Sequence, residues 1–238
     1  MSNVEASVII RVKNERANLA KVLERLGHQT SQSFEIVIVD DNSTDGSEAV
    51  AFEKFPESRV KLVRVAPGAY TYPAASNLGA EAASGRYLVY LSAHSFPVTD
   101  TWLRDGLTNF TDPRVAGVFA YPLALPSANG LERALYGVCV AALHAERKIY
   151  RKPVLGILGA TNAAIPRDFW QECPFDERYE RGGEDTHWAA QWMERGYVVV
   201  QDPRFRVYHS HDLSLRGLVK QYMGWRRMRR PSRMHPRA

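Results

Sequence analysis

Cysteine is scarce: Cys139 and Cys173 are the only two in 238 residues. Two thiols cannot staple a secreted scaffold, so free thiols and a reducing, cytoplasmic compartment are expected. Long apolar runs are missing too. No stretch approaches the roughly 20 residues of a membrane-spanning helix, and Met1, Ser2, Asn3, Val4 and Glu5 do not form a basic segment followed by an apolar one. Neither a membrane span nor an export signal is expected. Several catalytic signatures are also absent. No Gly-x-Gly-x-x-Gly follows the first apolar run and no Gly-x-x-x-x-Gly-Lys occurs, which removes the phosphate cradles of dinucleotide dehydrogenases and P-loop nucleotidases. The lack of His-Glu-x-x-His and Gly-x-Ser-x-Gly counts against zincins and α/β-hydrolases.

What remains is an ordinary globular composition, 45% hydrophobic and 24% charged, enough for one large domain in two parts. The charge is unevenly placed. Asp212 is the last acidic residue, and Arg216, Lys220, Arg226, Arg227, Arg229, Arg230, Arg233 and Arg237 follow it. Removing those eight from the 31 basic residues leaves 23 against 26 acidic ones in positions 1–212. The overall charge of +5 therefore comes from the tail, and a nucleic-acid partner for the whole protein is not expected. Leu213, Leu215, Leu218, Val219, Tyr222, Met223 and Trp225 are interleaved with those cations. This pattern fits a basic amphipathic helix for an anionic membrane surface; the alternative is a helix packed on its own core with a solvated tail. The expected boundaries are a domain at 1–212, with halves 1–121 and 122–212, and the tail at 213–238.

Along the chain, Val8 to Val12, Phe34 to Val39, Val60 to Val63 and Tyr87 to Leu91 read as strands, with helices between them at Asn18 to Leu26, after Asp45, and at Ala74 to Ala83. This alternation predicts an α/β fold with a mostly parallel central sheet flanked by helices. Ligands of such sheets bind outside the carboxyl ends of the strands, so Arg11 to Glu15, Asp40 to Asp45 and Ser92 to Ser95 should meet in one crevice. Leu131 to Tyr150 is expected to be helical and is a hinge or lid candidate. Gly159 to Pro166 and Gly182-Gly183-Glu184-Asp185 interrupt the regular pattern, and the latter opens a helix with Trp188, Ala189, Trp192 and Met193 on one face.

Four features could carry chemistry. The carboxylates of Asp40 and Asp41 can accept hydrogen bonds from a base or ribose, or simply cap a helix. His94 is isolated in sequence. His209 and His211, two apart near a strand end, share one face and could reach one metal, or play a purely structural role. Asp185 follows two glycines and is the candidate general base. The helix N-terminus weakens it as a base, so burial or Glu184 would have to raise its pKa; the alternative is that both acids merely complement the helix dipole.

Taken together, Ser7-Val8-Ile9-Ile10-Arg11-Val12-Lys13-Asn14-Glu15, Ile36-Val37-Ile38-Val39-Asp40-Asp41-Asn42-Ser43-Thr44-Asp45-Gly46-Ser47, Ser76-Asn77-Leu78-Gly79, Gly85 to Leu91 and Gly183-Glu184-Asp185 resemble the family 2 glycosyltransferases over nearly the whole chain. Asn162 to Arg167, Pro174 to Glu177 and His209-Ser210-His211 are similar to the rhamnosyltransferase-like branch that builds bacterial surface polysaccharides. The chain departs from the family at the metal motif. Where the family usually has Asp-x-Asp after the fourth strand, this sequence reads Ser92-Ala93-His94-Ser95. Related enzymes that glycosylate polypeptides use Asp-x-His with a further histidine from the C-terminal side.

The resemblance implies a GT-A nucleotide-sugar-binding fold and an inverting transfer from a nucleoside-diphosphate sugar, UDP- or dTDP-linked, to a hydroxyl of a glycan or lipid-linked acceptor. It implies donor contacts at Arg11, Asn14, Glu15, Asp40, Asp41, Asn77 and His94, and acceptor contacts at Asn162 and Glu184. Asp185 is implied as the base, and His94 with His211 or His209 as ligands for Mn²⁺ or Mg²⁺. The Gly182-Gly183 loop is a candidate gate. Such an enzyme is expected in the cytoplasm, with peripheral attachment at the inner face of the plasma membrane through the tail. Two other classes fit the same residues: a catalytically silent nucleotide-sugar-binding protein and a histidine-centred metal hydrolase.

Overall fold

The computed structural model describes residues 4–154, 156–211 and 213–227. The expected domain boundary at Asp212 and the tail cations from Arg229 onward lie outside the described residues. In chain order the elements are β1 (Ala6–Val12), α1 (Arg16–Gly27), β2 (Phe34–Asp40), α2 (Ser47–Lys54), β3 (Val60–Arg64), α3 (Tyr72–Ala82), β4 (Tyr87–Ser92), β5 (Phe96–Pro97), α4 (Trp102–Leu107) and β6 (Val115–Phe119). One continuous helix follows as α5 (Gly130–Glu132), a π-helical stretch (Arg133–Val140) and α6 (Ala141–Leu143). The chain then forms β7 (Lys148–Tyr150), β8 (Asn162–Pro166), α7 (Arg167–Glu172), α8 (Glu184–Glu194), β9 (Val198–Gln201), β10 (Val207–Tyr208) and α9 (Leu215–Arg227).

Among the described residues, eight strands make one sheet in the order β3-β2-β1-β4-β8-β6-β9-β7. β3, β2, β1 and β4 are mutually parallel, β8 is antiparallel to both β4 and β6, β9 is parallel to β6, and β7 is antiparallel to β9. The apolar runs are continuous because both faces are covered. Val8, Ile10, Val12, Ile36, Ile38, Val89 and Leu91 pack on one face with α1, α2 and α4, while Ile9, Val37, Val39, Leu88 and Tyr90 pack on the other with α3, α7 and α8. α3 lies very close to the sheet because position 79 is glycine. A Cβ there would sit 2.4 Å from Ile9 Cγ2 and 2.9 Å from Val39 Cγ2.

From β1 the chain moves outward through β2 to β3 and then returns across the sheet to β4, which makes the β1–β4 boundary the switch point of the strand order. Two expectations are corrected. The helix foreseen over 131–150 ends at Leu143, and Lys148–Tyr150 is an edge strand whose backbone pairs with β9. The irregular stretch foreseen at 159–166 contains β8, a buried strand held between β4 and β6.

Candidate active site

The three segments expected to converge do so. Asn14, in the left-handed region at φ 53°, accepts a hydrogen bond on its side-chain oxygen from the Thr44 backbone N–H at 2.8 Å. Lys13 Nζ lies 2.6 Å from Asp41 Oδ2, and Glu15 Oε1 lies 3.1 Å from His94 Nδ1. Parallel neighbours β2, β1 and β4 thus end in a contiguous polar rim.

The histidines meet because of a short antiparallel ribbon that pairs Phe96 with Tyr208 and Pro97 with Val207. This register sets Ser95 against His209 and carries His94 alongside. Ser95 Oγ is 3.1 Å from His209 Nδ1, and the His94 and His209 rings stack with centroids 4.7 Å apart. His209 Nε2 and His211 Nε2 are 2.9 Å apart, and one ligand nitrogen from each of His94, His209 and His211 falls within a 4.8 Å cluster. Two nitrogens bound to one ion by bonds of about 2.1 Å at right angles lie about 3 Å apart, the separation of His209 Nε2 and His211 Nε2; within the 4.8 Å cluster His94 would have to draw closer to share that ion. Charge state fits too. Burial lowers the pKa of His94 against the opposing pull of Glu15, and burial together with the two neighbouring imidazoles pushes His209 down to about 3. Both rings therefore keep a free lone pair at neutral pH, as metal ligation requires.

Across the rim stands an acidic pair. Gly182 and Gly183 adopt φ 104° and 99°, a left-handed turn that places Glu184 and Asp185 at the start of α8. Thr186 N–H donates to Asp185 Oδ1 at 2.6 Å, and the backbone N–H of Ala160 also holds that carboxylate. The neighbouring Thr161 carbonyl accepts from the Ser92 N–H at 3.2 Å, which puts Asp185 at the same sheet edge as the histidine loop. Burial raises the Asp185 pKa despite those donors. Glu184 is raised to about 7, first by burial and then by Asp185. Its Oε2 is buried without a hydrogen-bond partner. The desolvation that a base at this helix terminus needs is present.

Arg11 lies on the α3 face of β1, as does its sheet neighbour Ile9. Its guanidinium donates to the Tyr72 carbonyl at 3.2 Å and Ser76 Oγ at 3.1 Å, and it exerts an opposing electrostatic pull on Glu184 and Asp185. It thus belongs to the acidic end of the crevice rather than beside Glu15. Asp40 is buried and accepts the Ser43 N–H in a turn that precedes α2, whose N-cap position is Gly46, so it does not cap that helix, whereas Asp41 faces Lys13.

Two amides expected at the substrates are consumed by the fold. Asn77 Nδ2 donates to the Phe175 carbonyl at 2.9 Å and to Glu177 Oε1 at 3.3 Å, while its oxygen accepts from Trp170 Nε1 at 3.0 Å and Phe175 N–H at 3.1 Å. Asn162 accepts from Trp102 Nε1 at 3.2 Å and donates to the Phe205 carbonyl. Both brace packed layers: the Asn77 amide has all four of its hydrogen-bonding positions filled, and Asn162, itself buried, is tied by one donated and one accepted bond. Conversely, the sequence did not single out Ser95 as the partner that orients His209; its place beside His94 at a strand end was the available signal.

Residues 7–170 match the profile of the family described as Glycosyl transferase family 2. The chain belongs to this family. A relative of the family 2 chain, the O-antigen biosynthesis protein RfbC of Myxococcus xanthus, is 25% identical over 231 residues, which cover 90% of this chain and 18% of that protein. Among solved structures, the mannosyltransferase PcManGT from Pyrobaculum calidifontis, in complex with GDP-Man and Mn²⁺, superposes with a TM-score of 0.69 at 22% identity, covering 95% of this chain and 61% of that one. GalNAc-T7 with UDP, GalNAc and Mn²⁺ gives 0.70 at 20% identity, covering 89% and 45%. This family 2 chain thus has the GT-A fold, and it spans less than two thirds of the length of each of these relatives.

Proposed function

We propose that the chain transfers a sugar, with inversion at the anomeric carbon, from a nucleoside-diphosphate donor to a hydroxyl of a glycan or lipid-linked acceptor during polysaccharide assembly. The observation that carries this reading is the shared rim: the histidine cluster and the desolvated Asp185 occupy one sheet edge at the carboxyl ends of the strands. The O-antigen assignment of RfbC supports a polysaccharide product, and the Mn²⁺ complexes of PcManGT and GalNAc-T7 support a divalent cation. UDP- and dTDP-sugars are the donors proposed.

In this reading Asp41, with Lys13 and Glu15 around it, reads the base and ribose. His94, His209 and His211 would hold Mn²⁺ or Mg²⁺, whose charge offsets that of the departing diphosphate. Nitrogen ligands favour Mn²⁺ of the two. Asp185 takes the proton of the acceptor hydroxyl as that oxygen attacks the anomeric carbon from the face opposite the diphosphate. The reacting carbon passes through oxocarbenium character, so water must be kept out, and the Gly182-Gly183 turn is the proposed gate. Residues 1–212 form the catalytic unit, the first half holding the donor and the second the acceptor. The basic segment 213–238 attaches it to an anionic cytoplasmic membrane face.

A second reading has one observation behind it: the cluster of three imidazoles, which on one ion would leave a coordination position open, as in metal hydrolases. A panel of nucleotide sugars, screened for thermal stabilisation with and without Mn²⁺ and then for product, separates the readings. Transfer that requires an acceptor supports the transferase, release of free sugar without one supports the hydrolase, and stabilisation without turnover under either condition identifies a silent binder.

A further inference from the structure

The helix running from Gly130 to Leu143 is packed unlike the others. None of the side chains of Arg133–Val140 or Ala141–Leu143 is buried, although most are apolar. Tyr136, Val140 and Ala141 are half-buried, a four-to-five-residue repeat that matches the wide turn of a π-helix and marks the face resting on the body of the protein. Outward, Leu131 and Leu135 stand exposed with Val138 at 65% and Leu143 at 67%, beside exposed Cys139. A second stripe lies on α9, where Leu215, Val219 and Met223 recur every four residues and are all exposed.

Both elements are rooted at the histidine cluster. Asn129 accepts the Glu132 N–H at the start of the first helix and donates from Nδ2 to the Leu213 carbonyl, while the Glu132 carboxylate accepts the backbone N–H groups of His211 and Leu213.

Charge identifies the occupant. From Arg133 to Ala145 there is no acidic residue, and Glu146 is the one acid in 133–154 against exposed Arg133, Arg147, Lys148, Arg151 and Lys152, of which Arg147 also turns to Asn109 and Asp112. On α9 the apolar stripe is flanked by exposed Arg216 and Lys220. A second copy docking through the same face would bring these cations against their own equivalents, which opposes a two-fold interface. An anionic bilayer complements both components: acyl chains take the leucines and valine, and headgroups take the cations. We infer that the Gly130–Leu143 helix, together with the outer stripe of α9, is a membrane-docking surface that lies in the interface of an anionic bilayer. This goes beyond the basic tail, because it places a folded helix of the second half in contact with lipid. Docking is measured without donor or acceptor and so does not depend on the transfer reaction.

The test uses the full chain with vesicles of phosphatidylcholine containing about a quarter phosphatidylglycerol, and with phosphatidylcholine alone. The combined variant Leu135→Asp, Val138→Asp, Leu143→Asp should bind the anionic vesicles at least about tenfold more weakly than the natural chain, at an unchanged melting temperature. An environment-sensitive fluorophore on Cys139, in a Cys173→Ser background with the helix otherwise intact, should shift to the blue and be quenched by nitroxide lipids in anionic vesicles. This second readout decides the matter if the charged variant does not fold. Unchanged vesicle binding by a folded triple variant, a label that stays in water, or an oligomer that the triple substitution dissociates while lipid binding persists would each overturn the inference.

Discussion

Glu15 Oε1 sits 3.1 Å from Nδ1 of His94, and its other oxygen accepts a hydrogen bond from Asn18 Nδ2 at 2.8 Å. A carboxylate on Nδ1 holds the proton on that nitrogen and turns Nε2 outward, the arrangement usual behind a metal-ligating imidazole. Glu15 is therefore placed to position His94. Glu15→Gln should lower Mn²⁺ affinity about 10- to 100-fold, measured by calorimetry, while the melting temperature of the metal-free protein changes little. Unchanged Mn²⁺ affinity would remove Glu15 as the group that orients His94 toward a metal.

Glu184 makes stability depend on pH. Its ordinary pKa of 4.5 rises to about 7 in the fold, so the folded chain binds a proton that the unfolded chain releases between those values. The stabilisation is fully present below about 4.5 and is lost as pH rises through about 7. Asp185 is raised by the same burial and acts in the same direction. Glu184→Gln removes the first of these ionisations, and the melting temperature of the variant relative to the natural chain should climb between about pH 5 and about pH 8. A difference that stays flat or falls over that range would contradict the buried, raised carboxylate.

Asn77 predicts a separation of stability from donor affinity. Asn77→Ala leaves the Trp170 indole N–H and the Phe175 backbone groups without their partner inside a packed layer. A loss of at least about 2 kcal/mol is expected in chemical unfolding. Donor affinity of the fraction that remains folded should be near normal. A large loss of donor affinity at unchanged stability would reverse this assignment.

The parallel half of the sheet was legible because β1, β2 and β4 are buried on both faces and so read as continuous apolar runs, each ending in polar residues. β8 was not: Asn162-Ala163-Ala164-Ile165-Pro166 is short and built of small side chains, and it becomes a strand through backbone pairing on both edges. The His209-x-His211 spacing indicated two imidazoles on one face. That His94 joins them depends on the pairing of Phe96 with Tyr208, a contact between segments more than 100 residues apart that local pattern does not encode. The same reason explains Asn77 and Asn162. Their positions in the chain suit a ligand site, but their hydrogen bonds go to Phe175, Trp170, Trp102 and Phe205, partners set by the packing of layers. Asp185 shows the converse. The need for burial to offset the helix terminus was evident from the sequence, and burial raises the Asp185 pKa against the opposing donors Thr186 and Ala160.

The most direct measurement is a paired one on Asp185→Asn: donor affinity by calorimetry in the presence of Mn²⁺, and transfer rate with a matched acceptor. Donor affinity should stay within a few-fold of the natural chain while transfer falls by at least about 100-fold, the lower end of what a positioned general base contributes. Near-normal transfer by the variant would remove Asp185 from the reaction and with it the account of this crevice as the site of sugar transfer.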